Sequence, residues 1–253
     1  MNRTLAGVDG CRAGWIAAVR DGNGQLASRV FPAFAELVAG LGPGAVIAVD
    51  MPIGLPERIQ GTGRVAEQAG RAVLTKRKSS LFSIPARAAV EASTGPLRDP
   101  AERKAAWDRA CRLARSLSDP PRAFSIQAFG ILPKIAEIDC LLRAEPELAA
   151  RVIESHPEIA FAVLNEGAEM RHPKKQRDGG AWPGLAERCA VLLGKGLAAE
   201  FLDRSLPRGT GRDDWLDACA LLLVAERYAR GEARSYPDPP GRDAHGLPIT
   251  IWA

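Results

Sequence analysis

The sequence predicts an α/β protein: a central mixed sheet, in which an antiparallel meander joins parallel strands, flanked by helices and carrying a helical insertion. Three observations carry this reading. Short apolar runs at Thr4–Val8, Trp15–Val19 and Gln25–Phe31 are separated by turn chemistry. The second and third are joined by Asp21-Gly22-Asn23-Gly24, as an antiparallel hairpin requires. Phe34, Leu37, Val38 and Leu41 then fall at helical spacing, and a fourth apolar run follows at Val46–Val49. A right-handed crossover through that helix places the fourth run beside the first and parallel to it.

The remaining elements follow in order. A helix is expected near Arg64–Leu74, then two longer ones at Ala101–Ser118 and Phe124–Leu142. Arg151–Ser155 reads as a fifth strand. Leu185–Leu202 and Asp213–Arg230 read as helices, the latter with Leu216, Ala220, Leu223 and Ala225 on its apolar side. Pro248–Trp252 is a last strand. With no repeat and no linker, 1–253 reads as one domain with a basic helical insertion at about 56–145.

Composition excludes several classes. The 253 residues are 46% hydrophobic and 25% charged, which suits a globular fold. No run approaches the roughly 18 apolar residues of a membrane span. No charged, apolar and small-residue leader precedes the first strand, so a cytoplasmic soluble protein is expected. Five cysteines, all far apart and without a CxxC pair, give neither a zinc ribbon nor a disulfide framework.

Acids recur where apolar elements end: Asp9, Asp50, Glu154, and the group Asp213, Asp214 and Asp217. Asp214 and Asp217 are i and i+3 on one helix face. Any one of these is equally a turn or cap residue. Converging on a sheet edge, however, they repel one another unless a cation neutralises them. All-oxygen donors select Mg2+ or Mn2+ over zinc. Two such ions about 3.5–4 Å apart can activate water and stabilise a leaving oxygen at a phosphodiester.

The blocks Gly7-Val8-Asp9-Gly10-Cys11-Arg12-Ala13-Gly14-Trp15 and Ala48-Val49-Asp50-Met51-Pro52-Ile53-Gly54-Leu55-Pro56 resemble a family described as predicted RNase H-like nucleases, long catalogued as a domain of unknown function. The resemblance continues through Arg64–Arg71, Ser79–Arg87, Ser125-Ile126-Gln127 and Lys134–Asp139. It ends with Glu154-Ser155-His156-Pro157-Glu158 and Asp213-Asp214-Trp215-Leu216-Asp217-Ala218. It implies an RNase H-like fold and a metal-dependent nuclease in which Asp9, Asp50, Glu154, Asp214 and Asp217 are the catalytic and metal-ligating acids. Glu67 stands where the family pattern calls for a shorter Asp after Arg64.

Positive charge is concentrated. Residues 71–122 hold 12 Lys and Arg against 5 Asp and Glu, so the rest of a chain of net charge +4 is slightly acidic. Arg12, Arg64, Arg71, Lys76, Arg77, Arg87 and Lys134 are the candidate substrate-binding residues, through the phosphate backbone of a nucleic acid. His156 is either a general base or a structural hydrogen-bonder. Glu158, after Pro157, suits a helix start, and Lys174-Lys175, in a loop, is either an anion-binding pair or, the simpler reading, an exposed one. Two other readings compete: a binding module on an inactive nuclease fold, and a nucleotide-dependent phosphotransferase. The latter needs paired glycine-rich phosphate loops, and Gly7-Val8-Asp9-Gly10 has no second copy.

Overall fold

A computed structural model describes residues 3–93 and 99–253; Arg98 of the basic stretch lies outside the described residues. The chain begins with strands β1 (Leu5–Cys11), β2 (Gly14–Arg20) and β3 (Leu26–Phe31), helix α1 (Phe34–Leu41) and strand β4 (Val46–Val49). Then come β5 (Ile59–Gln60), α2 (Val65–Val73), α3 (Arg87–Glu91), α4 (Pro100–Ser116), β6 (Ser118–Asp119), α5 (Ile126–Ala144) and α6 (Pro146–Ala149). The last part holds β7 (Val152–Glu154), α7 (Pro157–Leu164), α8 (Pro183–Gly194), α9 (Ala199–Leu202), α10 (Arg212–Ala229), β8 (Ser235–Arg242) and β9 (Pro248–Trp252). Among the described residues no helix is long and apolar enough to cross a membrane.

Two compact units result. The first comprises Met1–Met51, Ala150–Arg234 and Trp252–Ala253, and the second comprises Pro52–Ala149 and Ser235–Ile251. Residues 56–145, the expected insertion, fall in the second unit, which also takes in β8 and most of β9.

The first unit is a five-stranded sheet in the order β3-β2-β1-β4-β7. β1 pairs antiparallel with β2, and β2 with β3, while β1–β4 and β4–β7 are parallel. This is the expected meander plus crossover, flanked by helices. Side-chain alternation divides the faces. Ile16, Ala18, Val46, Ala48 and Ile153 share one apolar core with α7 and α10. On the other face Trp15 meets Phe34 of α1 edge-on, with ring centroids 5.1 Å apart. Along α10 every residue from Trp215 to Ala225 is buried, because the helix lies across the centre of the sheet.

Two expectations change. The single helix expected over Leu185–Leu202 is two, α8 and α9, broken where Gly196 adopts φ +89°, a conformation that favours glycine. The last strand, at its expected position, pairs with β8 in a separate two-stranded sheet. β8, Ser-Tyr-Pro-Asp-Pro-Pro-Gly-Arg, is hidden from a sequence reading because proline is depleted in strands.

The second unit is braced by arginines. Arg64, fully buried, donates to Glu67 Oε1 at 2.7 Å and to the carbonyls of Ile53 and Gly54 at 2.7 and 3.0 Å. Arg87 donates to Asp139 Oδ2 at 2.6 Å and Asp243 Oδ2 at 2.7 Å, and all three side chains are buried. Arg71 donates to Thr62 O, Leu81 O and Ser83 Oγ.

Candidate metal centre

Strand register brings the first two acids together. Val8 pairs with Val49, so Asp9 and Asp50 follow at one level, and Asp50 N donates to Val8 O at 2.9 Å. Asp9 lies on the same face as Gly7, two residues earlier, which is the face covered by α10. A Cβ on Gly7 would lie 1.9 Å from Leu222 N and 2.1 Å from Ala218 O. Without one, α10 settles backbone to backbone on β1. That approach delivers Asp217, the neighbour of Ala218, to Asp9. The first turn of α10 is capped when Gly211 N donates to Asp214 Oδ2 at 3.0 Å, and two acids suit the positive end of the helix dipole.

The electrostatics record this convergence. Burial pushes the Asp9 carboxyl well above its usual range, and the charges of Asp50, Asp217 and Asp214 add to it. Burial, then Asp217, Glu154 and Glu158, lifts Asp50 from 3.8 to about 8. Asp217 and Asp214 are also raised, chiefly by burial. Asp213 moves the other way: burial opposes its charge, but Lys174 and Lys175 outweigh it.

A pH dependence follows. A carboxyl with a raised folded-state pKa binds its proton more tightly in the native state. Its stabilising contribution is complete below the unfolded value and is lost as pH rises through the folded one. Without divalent ions the protein should therefore melt at a higher temperature at pH 5.5 than at pH 8.5, and Asp50→Asn should flatten that slope. Asp213, with a lowered value, acts only at more acid pH. Melts in chelator across this window check it; a melting temperature that is flat or climbs with pH contradicts it.

Lys174 corrects the sequence reading. Instead of lying exposed, its ammonium donates to Asp217 Oδ2, with Asp217 fully enclosed. Burial works against that charge, but Asp217, Asp9 and Asp50 together hold the ammonium above its ordinary range. Lys175 remains exposed and pairs with Asp213 Oδ2 at 3.2 Å. The other oxygen of Asp217, Oδ1, is buried with no hydrogen-bond partner.

One further charge escaped the sequence reading, and its partner is Glu158, which lies in the first turn of α7 as expected. Arg188 on α8 is fully buried and donates to Glu158 Oε1 at 2.6 Å, and both bear on Asp217. Arg188 was legible in principle, since it lies between Leu185 and Leu192 on an apolar face, where a lone charge needs a partner. Glu154 is buried but pairs in register with Val49, so the pleat assigns it to the face opposite Asp9 and Asp50. Its charge nevertheless reaches Asp50. His156 occupies the N-cap position of α7, its carbonyl accepting from Ile159 N and Ala160 N.

The basic candidates divide. Arg64 and Arg87, expected to contact phosphate, have their guanidiniums engaged inside the second unit, and Glu67 is the ion-pair partner of Arg64. Arg71 is partly buried, like Arg77 and Lys134, while Lys76 is exposed. Arg12 is exposed in the turn between β1 and β2.

Fold and site together define an α/β protein whose mixed sheet carries a buried acid cluster at the carboxyl ends of parallel strands. The chain belongs to the family described as "Protein of unknown function (DUF429)", whose model matches residues 7–242. No curated protein and no solved structure matches it.

Proposed function

We propose that the protein is a metal-dependent nuclease of the RNase H-like superfamily, with Mg2+ or Mn2+ held by the acid cluster. The observation that carries this is the convergence of Asp9, Asp50 and Asp217, with Asp214 beside them, in surroundings that push their carboxyls toward protonation. A fold does not gather buried like charges for stability, so the arrangement argues for a cation. The strand order, a meander followed by two parallel strands, suits an RNase H-like reading.

The residues present fit a hard divalent ion. Every donor is a carboxylate oxygen, and Asp217 Oδ1 is enclosed with no partner. Among the described residues no three His, Cys, Asp or Glu side chains stand together closely enough to hold a metal ion as they lie, so the fit rests on the chemistry of the donors. Asp9, Asp50 and Asp217 would hold the ion, with Asp214 next to them and Glu154 at the strand end. Bound there, the ion would supply water activation and charge stabilisation at a phosphodiester. The chain's own share is to fix those oxygens. β1 and β4 hold two by register, and α10 brings the third over Gly7. Exposed Arg12 and Lys76, with Arg77 and Lys134, would contact the phosphate backbone of a nucleic acid, whereas Arg71, like Arg64 and Arg87, is engaged within the second unit.

The test is cleavage of end-labelled single-stranded DNA, RNA, duplex and branched junction with Mg2+, with Mn2+ and with chelator. The expected result is cleavage of at least one substrate that chelator stops and that Asp50→Asn and Asp217→Asn each reduce by about a hundredfold or more. No cleavage of any substrate, or cleavage indifferent to chelator and to both substitutions, contradicts it. The first outcome would favour a binding module on the same fold.

A further inference from the structure

The segment between α7 and α8 holds Lys174 among the acids by several independent contacts. Arg171 N and His172 N donate to the two carboxylate oxygens of Glu187 at 2.9 and 3.0 Å. The buried guanidinium of Arg188 reaches His172 O at 3.3 Å. Pro173 lies so close to α8 that a Cβ on Gly184 would stand 2.3 Å from its carbonyl oxygen. On the other side Lys175 pairs with Asp213. Lys174 is thus seated from both flanks, its side chain only 30% exposed. A surface lysine that swings in by chance would not require a glycine in α8 and a buried arginine to hold its neighbours.

An ammonium there does part of what a metal does. It is a compact point charge with three donors, and it neutralises an enclosed aspartate that would otherwise stand alone. One oxygen of Asp217 is taken by Lys174; the other, Oδ1, is buried without a hydrogen-bond partner, and the charge of Asp217 bears on both Asp9 and Asp50. We infer that Lys174 is a built-in second cation of this site, so that the acid cluster takes one divalent ion where an all-carboxylate centre takes two. This rests on the metal-centre reading above. It makes Lys174 a positioning residue that fixes Asp217 and lowers the charge left for metal.

Titration calorimetry with Mn2+ tests this on wild type, Lys174→Met, Lys174→Arg and Lys175→Met. One ion per chain is expected for wild type, for Lys174→Arg, which keeps the charge, and for Lys175→Met, which loses only the exposed pair. Two ions are expected for Lys174→Met. Two ions in wild type overturn the inference and leave the metal centre standing. One ion of unchanged affinity in both wild type and Lys174→Met overturns it as well, as does binding that appears only once Lys174 is removed. No Mn2+ bound by any variant overturns both readings. The wild-type spectrum under electron paramagnetic resonance gives a second measurement that does not depend on how well a variant folds. Isolated Mn2+ is expected, and a spin-coupled pair contradicts it.

Discussion

Gly7→Ala is expected to be among the most damaging single-methyl changes in the protein. The added carbon would meet Leu222 N at 1.9 Å, Ala218 O at 2.1 Å and the Leu221 carbonyl carbon at 2.4 Å, all of them backbone atoms of α10. No rotamer change relieves such contacts, so the helix must move off the sheet along its most buried stretch. Overpacking a core costs about 1–3 kcal/mol where side chains can adjust, and a backbone clash falls at or above the top of that range. A loss of about 3 kcal/mol lowers the melting temperature of a chain this size by roughly 6–12 °C. Because the displaced turn carries Asp217, the proposed metal-dependent cleavage should be lost even where the variant remains folded. Gly194→Ala at the end of α8 is the control: it has open space and no positive φ, so it should be neutral or stabilising by up to about 1 kcal/mol. A Gly7→Ala protein melting within 2 °C of wild type would show that α10 does not sit on β1 as described.

Arg87→Met should cost a comparable amount, in the second unit. It keeps the apolar bulk of the side chain but leaves Asp139 and Asp243 buried without the guanidinium that binds both. Removing one partner of a buried ion pair typically costs about 3–5 kcal/mol, because the remaining charge stays desolvated; Asp139 keeps Arg143 Nε at 3.0 Å, so the loss falls mainly on Asp243 and sits toward the lower end. Asp243 Oδ2 also accepts from Leu55 N at 3.0 Å, so the change reaches the Pro- and Gly-rich segment after Asp50. The exposed pair Lys104–Asp108 provides the contrast: Lys104→Ala should shift stability by less than about 1 kcal/mol. Denaturant melts of both variants check the difference, and equal small effects would contradict the bracing role of Arg87.

Most of what the sequence made legible was periodic. Alternating and continuous apolar runs placed β1 to β4 and β9, and the acids at strand ends could be put at one level once Asp9 and Asp50 were seen to follow paired strands. The rest depended on contacts between distant segments. Lys174 has no spacing signal, because only the fold lays its loop over α10. Arg64 and Arg87 look like phosphate binders in a basic stretch; Glu67, three residues on, was a local hint for Arg64, but the carboxylates of Asp139 and Asp243 that engage Arg87 come from other segments. Glu154 was placed at a strand end correctly, but which face it takes depends on register, and a shift of one residue reverses it.

Whether the acids at Asp9 form a cation site is decided by thermal melts of wild type and Asp9→Asn with chelator, Mg2+ and Mn2+. Asp9 Oδ1 also accepts from Gly10 N at 2.6 Å, and asparagine keeps that acceptor while removing the charge. Without metal, Asp9→Asn should be at least as stable as wild type, relieved of like-charge repulsion. Wild type should gain about 2.7 kcal/mol at a 100-fold excess of ion over its dissociation constant, and the variant should gain nothing. A variant destabilised with or without metal, beside a wild type indifferent to either ion, would contradict the claim and leave Asp9 as a turn residue.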